Sequence, residues 1–71
     1  MQYDKDHEIL DLKRQAKVDY RQCGNELGLH PSACSQRCLG FIRWQSGERE
    51  RLRKFLLSRI AVQQEAEEVQ G

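Results

Sequence analysis

The stretch YRQCGNELGLHPSACSQRCLG, from Tyr20 to Gly40, decides the fold. A tight turn between two helices needs a residue that tolerates positive φ, and the helices need a small residue where they cross. Gly28 meets the first need and Gly24 the second, while Pro31 suits the first position of a following helix because it has no N–H to leave unpaired. The stretch therefore predicts two short helices joined by a tight turn. Four residues are expected on their inner faces: Cys23, Leu27, Leu29 and Cys34.

The flanking sequence also predicts helices. Between about residues 7 and 17, apolar side chains recur at the spacing of an amphipathic helix. Asp19, followed three residues later by Gln22, is typical of a capping box at the next helix start, and Ser46 is the expected cap of a last helix. We expect an all-α fold: a four- to five-helix single domain containing a helix-turn-helix, with a longer C-terminal helix. Residues 38–44, rich in apolar side chains, are expected to form a loop.

Charge is unevenly distributed along the 71 residues. Residues 1–12 carry four acidic and one basic side chain, residues 13–59 carry eleven basic and four acidic, and residues 60–71 carry three acidic. A basic centre attracts a phosphate backbone because each neutralised phosphate releases a counterion; an ordinary solvated helix surface is the alternative. We expect one domain over the whole chain, with an acidic tail at 1–6 and an acidic helix end or tail at 61–71.

The size of the chain and its residue types restrict the class of protein. A chain of 71 residues has a small core, and no nucleophile lies in a motif with a base and an orienting group, so we expect no enzyme activity. No apolar run is long enough to span a membrane, and the N-terminus is neither basic nor followed by an apolar segment. The cysteine count of three does not fit a framework of paired disulfides. We therefore expect a cytoplasmic protein.

The three cysteines have two interpretations. Cys23, His30, Cys34 and Cys38 form a C-x6-H-x3-C-x3-C pattern, and the last two cysteines lie one helical turn apart, a spacing that offers two thiolates to zinc. Structural zinc sites usually contain C-x2-C knuckles, which are missing here, so free thiols and no cofactor are expected. Cys23 and Cys34 are expected to be buried, and Cys38 to react faster with a thiol reagent.

At these spacings the stretch from Tyr20 to Gly40 resembles the helix-turn-helix of the phage Cro and repressor family. ELGLHPSACSQ is similar to that family's turn and recognition helix, and SGERERLRKFLLSRI is similar to its later helices. Three positions differ from the family pattern: Gly24 replaces the commoner alanine, His30 replaces a better cap, and Arg37 replaces an apolar residue. An inward and unpaired arginine would be too costly, so the helix must be rotated, shortened or partnered at Arg37.

The resemblance implies a small sequence-specific DNA-binding transcription regulator whose recognition helix enters the major groove. Gln36 would carry most of the direct readout, because a glutamine amide pairs with N6 and N7 of adenine. The expected base contacts are Ser32, Ser35 and Gln36, with His30 and Pro31 beside them. The expected phosphate contacts are Arg21, Gln22 and Arg43.

The last helix carries an apolar stripe of Leu52, Phe55, Leu56 and Ile60. One interpretation makes this stripe the interface of a homodimer, which a protein that occupies a two-fold operator needs. The other makes it the cap of the monomer core, followed by a polar tail. The alternative function is a small protein-binding inhibitor or anti-activator on the same helical scaffold. A steep salt dependence of binding to duplex DNA would distinguish the two functions.

Overall fold

A computed structural model describes the backbone of residues 3–70 and the side chains of residues 3–64. Within this part the chain forms four helices and no strand, which confirms the predicted all-α class and the longer C-terminal helix. The expectations for residues 1 and 2 and for the acidic side chains after residue 64 lie outside the described residues. The helices are α1 (His7–Ala16), α2 (Tyr20–Leu27), α3 (Pro31–Cys38) and α4 (Glu48–Gln70).

Local signals set the limits of α2 and α3. The Asp19 carboxylate accepts the Gln22 N–H at 2.9 Å, and the Gln22 side chain accepts the Asp19 N–H at 3.1 Å, so the predicted capping box is present. Helix α2 ends at Gly28, whose φ of 71° is left-handed, and α3 begins at Pro31. The predicted helix, turn and helix are therefore confirmed within the described residues.

The crossing of α2 with the turn depends on Gly24. A Cβ atom at this position would lie 2.5 Å from the carbonyl oxygen of Leu29 and 3.3 Å from the nitrogen of Pro31. Both neighbours are backbone atoms, which cannot move aside as the end of a flexible side chain does. Glycine therefore stands here because the turn backbone occupies the space of a side chain.

Helices α1 and α4 lie alongside each other and run in the same direction. Asp6, before α1, binds Arg49 in the first turn of α4, and the Ala16 carbonyl at the other end of α1 accepts a hydrogen bond from the Gln63 amide. No helix among residues 3–70 is long and apolar enough to cross a lipid bilayer. The buried core consists of Ile9, Ala16, Val18, Cys23, Cys34, Cys38, Leu52 and Leu56.

The apolar stripe on α4 faces this core, which corrects its assignment as a dimer interface. Leu52 and Leu56 have no exposed surface in the single chain, so a second chain cannot contact them without opening the core. Phe55 and Ile60 are half-buried and pack against the same cluster. These four residues therefore belong to the core of the single chain or pack against it, as the alternative interpretation of the stripe expects.

Residues 3–6, which the sequence predicts to belong to an acidic tail, are bonded to the end of α3. The Tyr3 N–H donates to the Gly40 carbonyl at 3.0 Å, and the Asp6 N–H donates to the Cys38 carbonyl at 2.9 Å. Asp6 also caps α1 by accepting the Ile9 N–H at 3.2 Å. The segment is therefore fixed against the C-terminal end of α3.

The start of α4 also differs from the expectation for Ser46. The helix begins at Glu48, and the Glu48 carboxylate accepts the Gln45 N–H at 2.8 Å. The Gly47 carbonyl accepts the first helical N–H, from Arg51, at 3.0 Å. The Glu48 side chain, rather than the Ser46 hydroxyl, thus closes this turn within the described residues. The predicted loop at 38–44 is confirmed from residue 39, because α3 ends at Cys38.

Candidate nucleic-acid interface

The residues predicted to contact DNA lie on α2, on α3 and in the loop after α3. Arg21 and Gln22 are in the first turn of α2, and Arg43 is in the loop between α3 and α4; all three are exposed. On α3, Ser32 and Gln36 are exposed and Ser35 is half-buried. The two helices that carry five of these six residues pack directly on each other. The α2–α3 unit thus presents Arg21, Gln22, Ser32 and Gln36 to solvent and Ser35 in part.

The start of α3 holds both serines in place through local hydrogen bonds. His30 Nδ1 accepts the Ser32 backbone N–H at 3.2 Å and lies 2.8 Å from Ser32 Oγ, so the ring nitrogen supplies the cap that a serine usually provides. The Ser35 hydroxyl donates to the Ser32 carbonyl at 2.9 Å. Because the Ser35 hydroxyl proton is used inside the helix, and because a serine oxygen can accept more than one hydrogen bond, both serines can offer an oxygen acceptor to an outside donor.

Gln36 differs from the serines because its amide makes no hydrogen bond within the described residues. Its backbone carbonyl accepts the Phe41 N–H at 2.9 Å and the Ile42 N–H at 3.3 Å, which fixes the loop beside it. The exposed amide keeps both its donor and its acceptor for a ligand. This is the pair of groups that bidentate recognition of adenine requires.

Arg37 is directed away from this exposed set. Its Nε donates to the Glu48 carboxylate at 2.7 Å, and its Nη1 donates to the Ala33 carbonyl at 3.0 Å. The side chains of Arg37 and Glu48 are only 11% and 16% exposed. Of the three solutions that the sequence left open for this position, the structure has the partnered arginine.

The first turn of α2 lies beside further cations that sequence reasoning did not single out. Lys13 Nζ lies 4.3 Å from the ring centre of Tyr20, and Lys17 occupies the left-handed position that ends α1. Arg21, which follows Tyr20 in the sequence, is exposed. The oxygen of the Gln22 amide accepts a hydrogen bond in the capping box, so the N–H groups of that amide remain available to a ligand. Their positions in the sequence could have indicated this, because Lys13 lies in the last turn of α1 and Lys17 directly follows that helix.

Ion pairing separates the basic side chains into two groups. Paired arginines and lysines lie mainly on α4, where Arg49 binds Asp6 at 2.6 Å and Glu8 at 2.5 Å. The paired group within residues 3–64 is Arg14, Arg37, Arg49, Arg51, Arg53 and Lys54. In the same part of the chain, the basic side chains with no carboxylate within 4.0 Å are Lys5, Lys13, Lys17, Arg21, Arg43 and Arg59.

The cysteines form a buried row rather than a site open to ligands. The hydrogen bond with Cys34, in which the Cys23 thiol is the donor, and burial raise the pKa of the Cys23 thiol. For Cys34, the bond with Cys23 lowers the pKa, but the bond with Cys38 together with burial outweighs it and raises the pKa to about 11. The bond with Cys34 lowers the pKa of Cys38.

All three thiols, Cys38 included, have no exposed surface, and the faster reaction expected for Cys38 stays a prediction. His30 is exposed and bonded to Ser32, whereas the three cysteines of the C-x6-H-x3-C-x3-C pattern are buried. The described residues contain no group of three or more histidine, cysteine, aspartate or glutamate side chains placed to hold a metal ion.

Comparisons of the chain with family models, with curated proteins and with solved structures find no match. The assignment of a function therefore depends on the geometry and the charges of the α2–α3 unit.

Proposed function

We propose that this chain is a small sequence-specific DNA-binding regulator that acts as a dimer on a two-fold operator, with α3 in the major groove. The observation that carries the proposal is the distribution of unpaired cations. Lys17 ends α1, Arg21 lies in the first turn of α2 and Arg43 follows α3, so along the chain unpaired cations occur both at the beginning and after the end of the α2–α3 unit. Phosphates that border a major groove need cations in such flanking positions.

The chemistry of α3 supports the same proposal. Its exposed surface offers one complete amide, on Gln36, and the oxygen acceptors of Ser32 and Ser35. The amide suits adenine, and the serine oxygens suit amino groups of adenine or cytosine. The cation on the helix, Arg37, is already neutralised by Glu48, so phosphate attraction must come from the flanking residues.

Binding to duplex DNA at several salt concentrations tests the phosphate contacts. Arg21→Gln and Arg43→Gln should each weaken binding on all sequences and reduce the slope of log affinity against log salt by about one. Lys54→Gln is the matched control, because Lys54 is exposed on α4 and paired with Glu50 at 3.5 Å. If all three variants have equal effects, or if affinity does not depend on salt, the phosphate assignment is wrong.

Gln36→Ala tests the base contact. We expect a loss of about 1–3 kcal/mol at one operator position and little change in non-specific affinity, because the amide contacts base edges only. The operator is first identified by selecting bound sequences from a random library. An equal loss on every sequence would instead make Gln36 a phosphate contact.

A protein-binding inhibitor or anti-activator is the second candidate. It is favoured by the absence of any unpaired cation on α3 itself, since the cation described there, Arg37, is bonded to Glu48. A protein-binding module would show no log-linear loss of DNA affinity with salt, so the same titration separates the two candidates.

A further inference from the structure

The cap of α3 is a histidine ring, a group that can change its charge near neutral pH. His30 Nδ1 accepts the Ser32 backbone N–H at 3.2 Å and lies 2.8 Å from Ser32 Oγ. Pro31, between the two residues, has no N–H, so the Ser32 N–H is the first amide of α3 that needs a partner outside the helix. The hydrogen bond that caps α3 therefore depends on one ring nitrogen.

Nδ1 can accept this hydrogen bond only while it carries no proton. A neutral imidazole has one donor and one acceptor nitrogen, whereas both nitrogens of the charged ring are donors. Histidine side chains in general change charge between about pH 5 and pH 8. Protonation of Nδ1 leaves the Ser32 N–H without its partner, and the charged nitrogen then donates to Ser32 Oγ instead.

No charge close to His30 replaces the lost hydrogen bond. Within residues 3–64, no carboxylate oxygen lies within 4.0 Å of the His30 ring. The ring lies at the positive end of the α3 dipole, where a cation is unfavourable. The thiols of Cys23 on α2 and Cys34 on α3 are buried and uncharged. Protonation therefore removes the cap without forming an ion pair.

The charged side chains of the helices packed around the turn are engaged elsewhere or are cations. On α2 and α3 they are Arg21, Glu26 and Arg37. Glu26 lies 4.0 Å from Arg51 of α4, and Arg37 is bonded to Glu48 of the same helix. The acidic segment 3–6 is bonded to the opposite end of α3. The protonation state of His30 is therefore the variable charge at the start of α3.

We propose that protonation of His30 loosens the first turn of α3, so that the start of this helix responds to pH. The ring is exposed, so a proton reaches it while the chain stays folded. The Cys34 N–H donates to the His30 carbonyl at 3.1 Å, and this backbone bond does not involve the ring. Buried Cys34 and Cys38 hold the rest of the helix on the core. The switch thus acts on one turn and leaves the fold intact.

The turn that responds to pH carries Ser32, and the consequence for DNA rests on the proposed function. When the charged ring donates to Ser32 Oγ, the hydroxyl proton is left for an outside acceptor such as N7 or O6 of guanine. Acidification should therefore change the base that is preferred opposite Ser32. The pH response itself does not rest on the proposed function, because it belongs to the free chain.

Nuclear magnetic resonance of the isotope-labelled free chain between pH 8 and pH 5 tests the switch. At pH 8 the His30 ring should carry its proton on Nε2. As the pH falls, the Ser32 amide signal should change with the same midpoint as the His30 ring, and the Cα signals of Ser32 and Ala33 should move toward coil values. In His30→Asn, the side-chain oxygen caps the helix without titrating, so these signals should stay constant.

His7→Asn is the matched control. His7 is the other histidine of the chain, is exposed and occupies the first position of α1, so its replacement should keep the response of Ser32. Urea unfolding gives the size of the effect. The unfolding equilibrium constant of the wild type relative to that of His30→Asn should be about fivefold larger at pH 5 than at pH 8, the factor that loss of a helix cap typically produces.

Three results would overturn the proposal: a proton on Nδ1 at pH 8, a Ser32 amide signal that does not follow the His30 ring, or a response that His7→Asn removes and His30→Asn keeps. Selection of bound DNA sequences at pH 8 and at pH 5.5 tests the consequence for DNA, with His30→Asn giving the same preference at both. A chain that binds no DNA but shows the Ser32 response would refute the proposed function and leave this inference standing.

Discussion

Replacement of Arg37 by methionine removes the cation of a nearly buried ion pair and keeps most of the side-chain volume. In the wild type, the Glu48 carboxylate accepts from Arg37 at 2.7 Å and from the Gln45 N–H at 2.8 Å. The Glu48 side chain is only 16% exposed in the wild type, and the variant leaves its carboxylate with the backbone donor alone. Removal of one partner from a fully buried pair costs about 3–5 kcal/mol, and the residual exposure lets Glu48 turn toward water. We expect a loss of about 2 kcal/mol.

A second substitution separates the charge from the packing. Glu48→Gln keeps an oxygen for the Gln45 N–H and removes the negative charge. The double variant, Arg37→Met with Glu48→Gln, should therefore recover at least half of the loss, because no uncompensated charge remains. The expected coupling energy of the double-mutant cycle is about 1–2 kcal/mol, well above the error of such cycles.

Urea unfolding followed by circular dichroism measures these differences. For a domain of this size, a loss of 2 kcal/mol also lowers the melting temperature by roughly 10 °C. Arg51→Met is the control. Arg51 Nε lies 4.0 Å from the Glu26 carboxylate at an exposed site, so this substitution should change the free energy of unfolding by less than about 0.5 kcal/mol. If Arg37→Met is as stable as the wild type, or if the coupling energy is near zero, the pair does not hold α3 against α4.

Three further predictions concern the fold. Gly24→Ala should destabilise by about 1–2 kcal/mol in urea although alanine favours helix, because its Cβ would meet the Leu29 carbonyl at 2.5 Å; a stabilised variant would contradict the close crossing. Burial raises the pKa of Asp6, but the hydrogen bonds and charge of Arg49 and the Ile9 N–H outweigh it and hold the pKa below 3.8. The stabilisation from this lowered pKa is complete above the unfolded pKa and is lost as pH falls through the folded pKa. Asp6→Asn keeps an oxygen that can cap α1 but cannot titrate, so its free energy of unfolding should depend less on pH below about pH 4 than that of the wild type. Equal pH dependence of the two proteins in this range would refute this. All three thiols should react slowly with a thiol reagent in native conditions and quickly in urea, and one fast thiol would contradict their burial.

Local signals made the helix limits predictable. Asp19 and Gln22 form a cap within one turn, and Gly28 and Pro31 act on the backbone at their own positions, so these features require no knowledge of the tertiary structure. The sequence also predicted the need for a small residue at position 24, because two helices joined by a short turn must approach each other closely.

Contacts between distant parts of the chain were not predictable in the same way. Asp6 binds Arg49 and Trp44, which are 43 and 38 positions away, and no local pattern marks such partners. The burial of Leu56 in the monomer depends on the same packing, because a stripe that faces α1 looks identical in sequence to one that faces a second chain. The exposure of Phe41 could not be predicted for the same reason, because the apolar residues around it have the same sequence whether or not another part of the protein covers Phe41.

The distribution of charge shows why net charge along the sequence overstates the basic surface. The acidic N-terminal part folds onto α4, where Asp6 and Glu8 pair with Arg49, and Glu8 also lies 3.5 Å from Arg53. These pairs remove much of the positive field that the central residues would otherwise produce. Within residues 3–64, the cations that ion pairing leaves without a carboxylate lie next to α2 and after α3, and also at Lys5 and at Arg59 on α4. The proposed phosphate contacts at Arg21 and Arg43 therefore rest on which cations are unpaired and not on the number of arginines, which is larger on α4 than on α2 and α3.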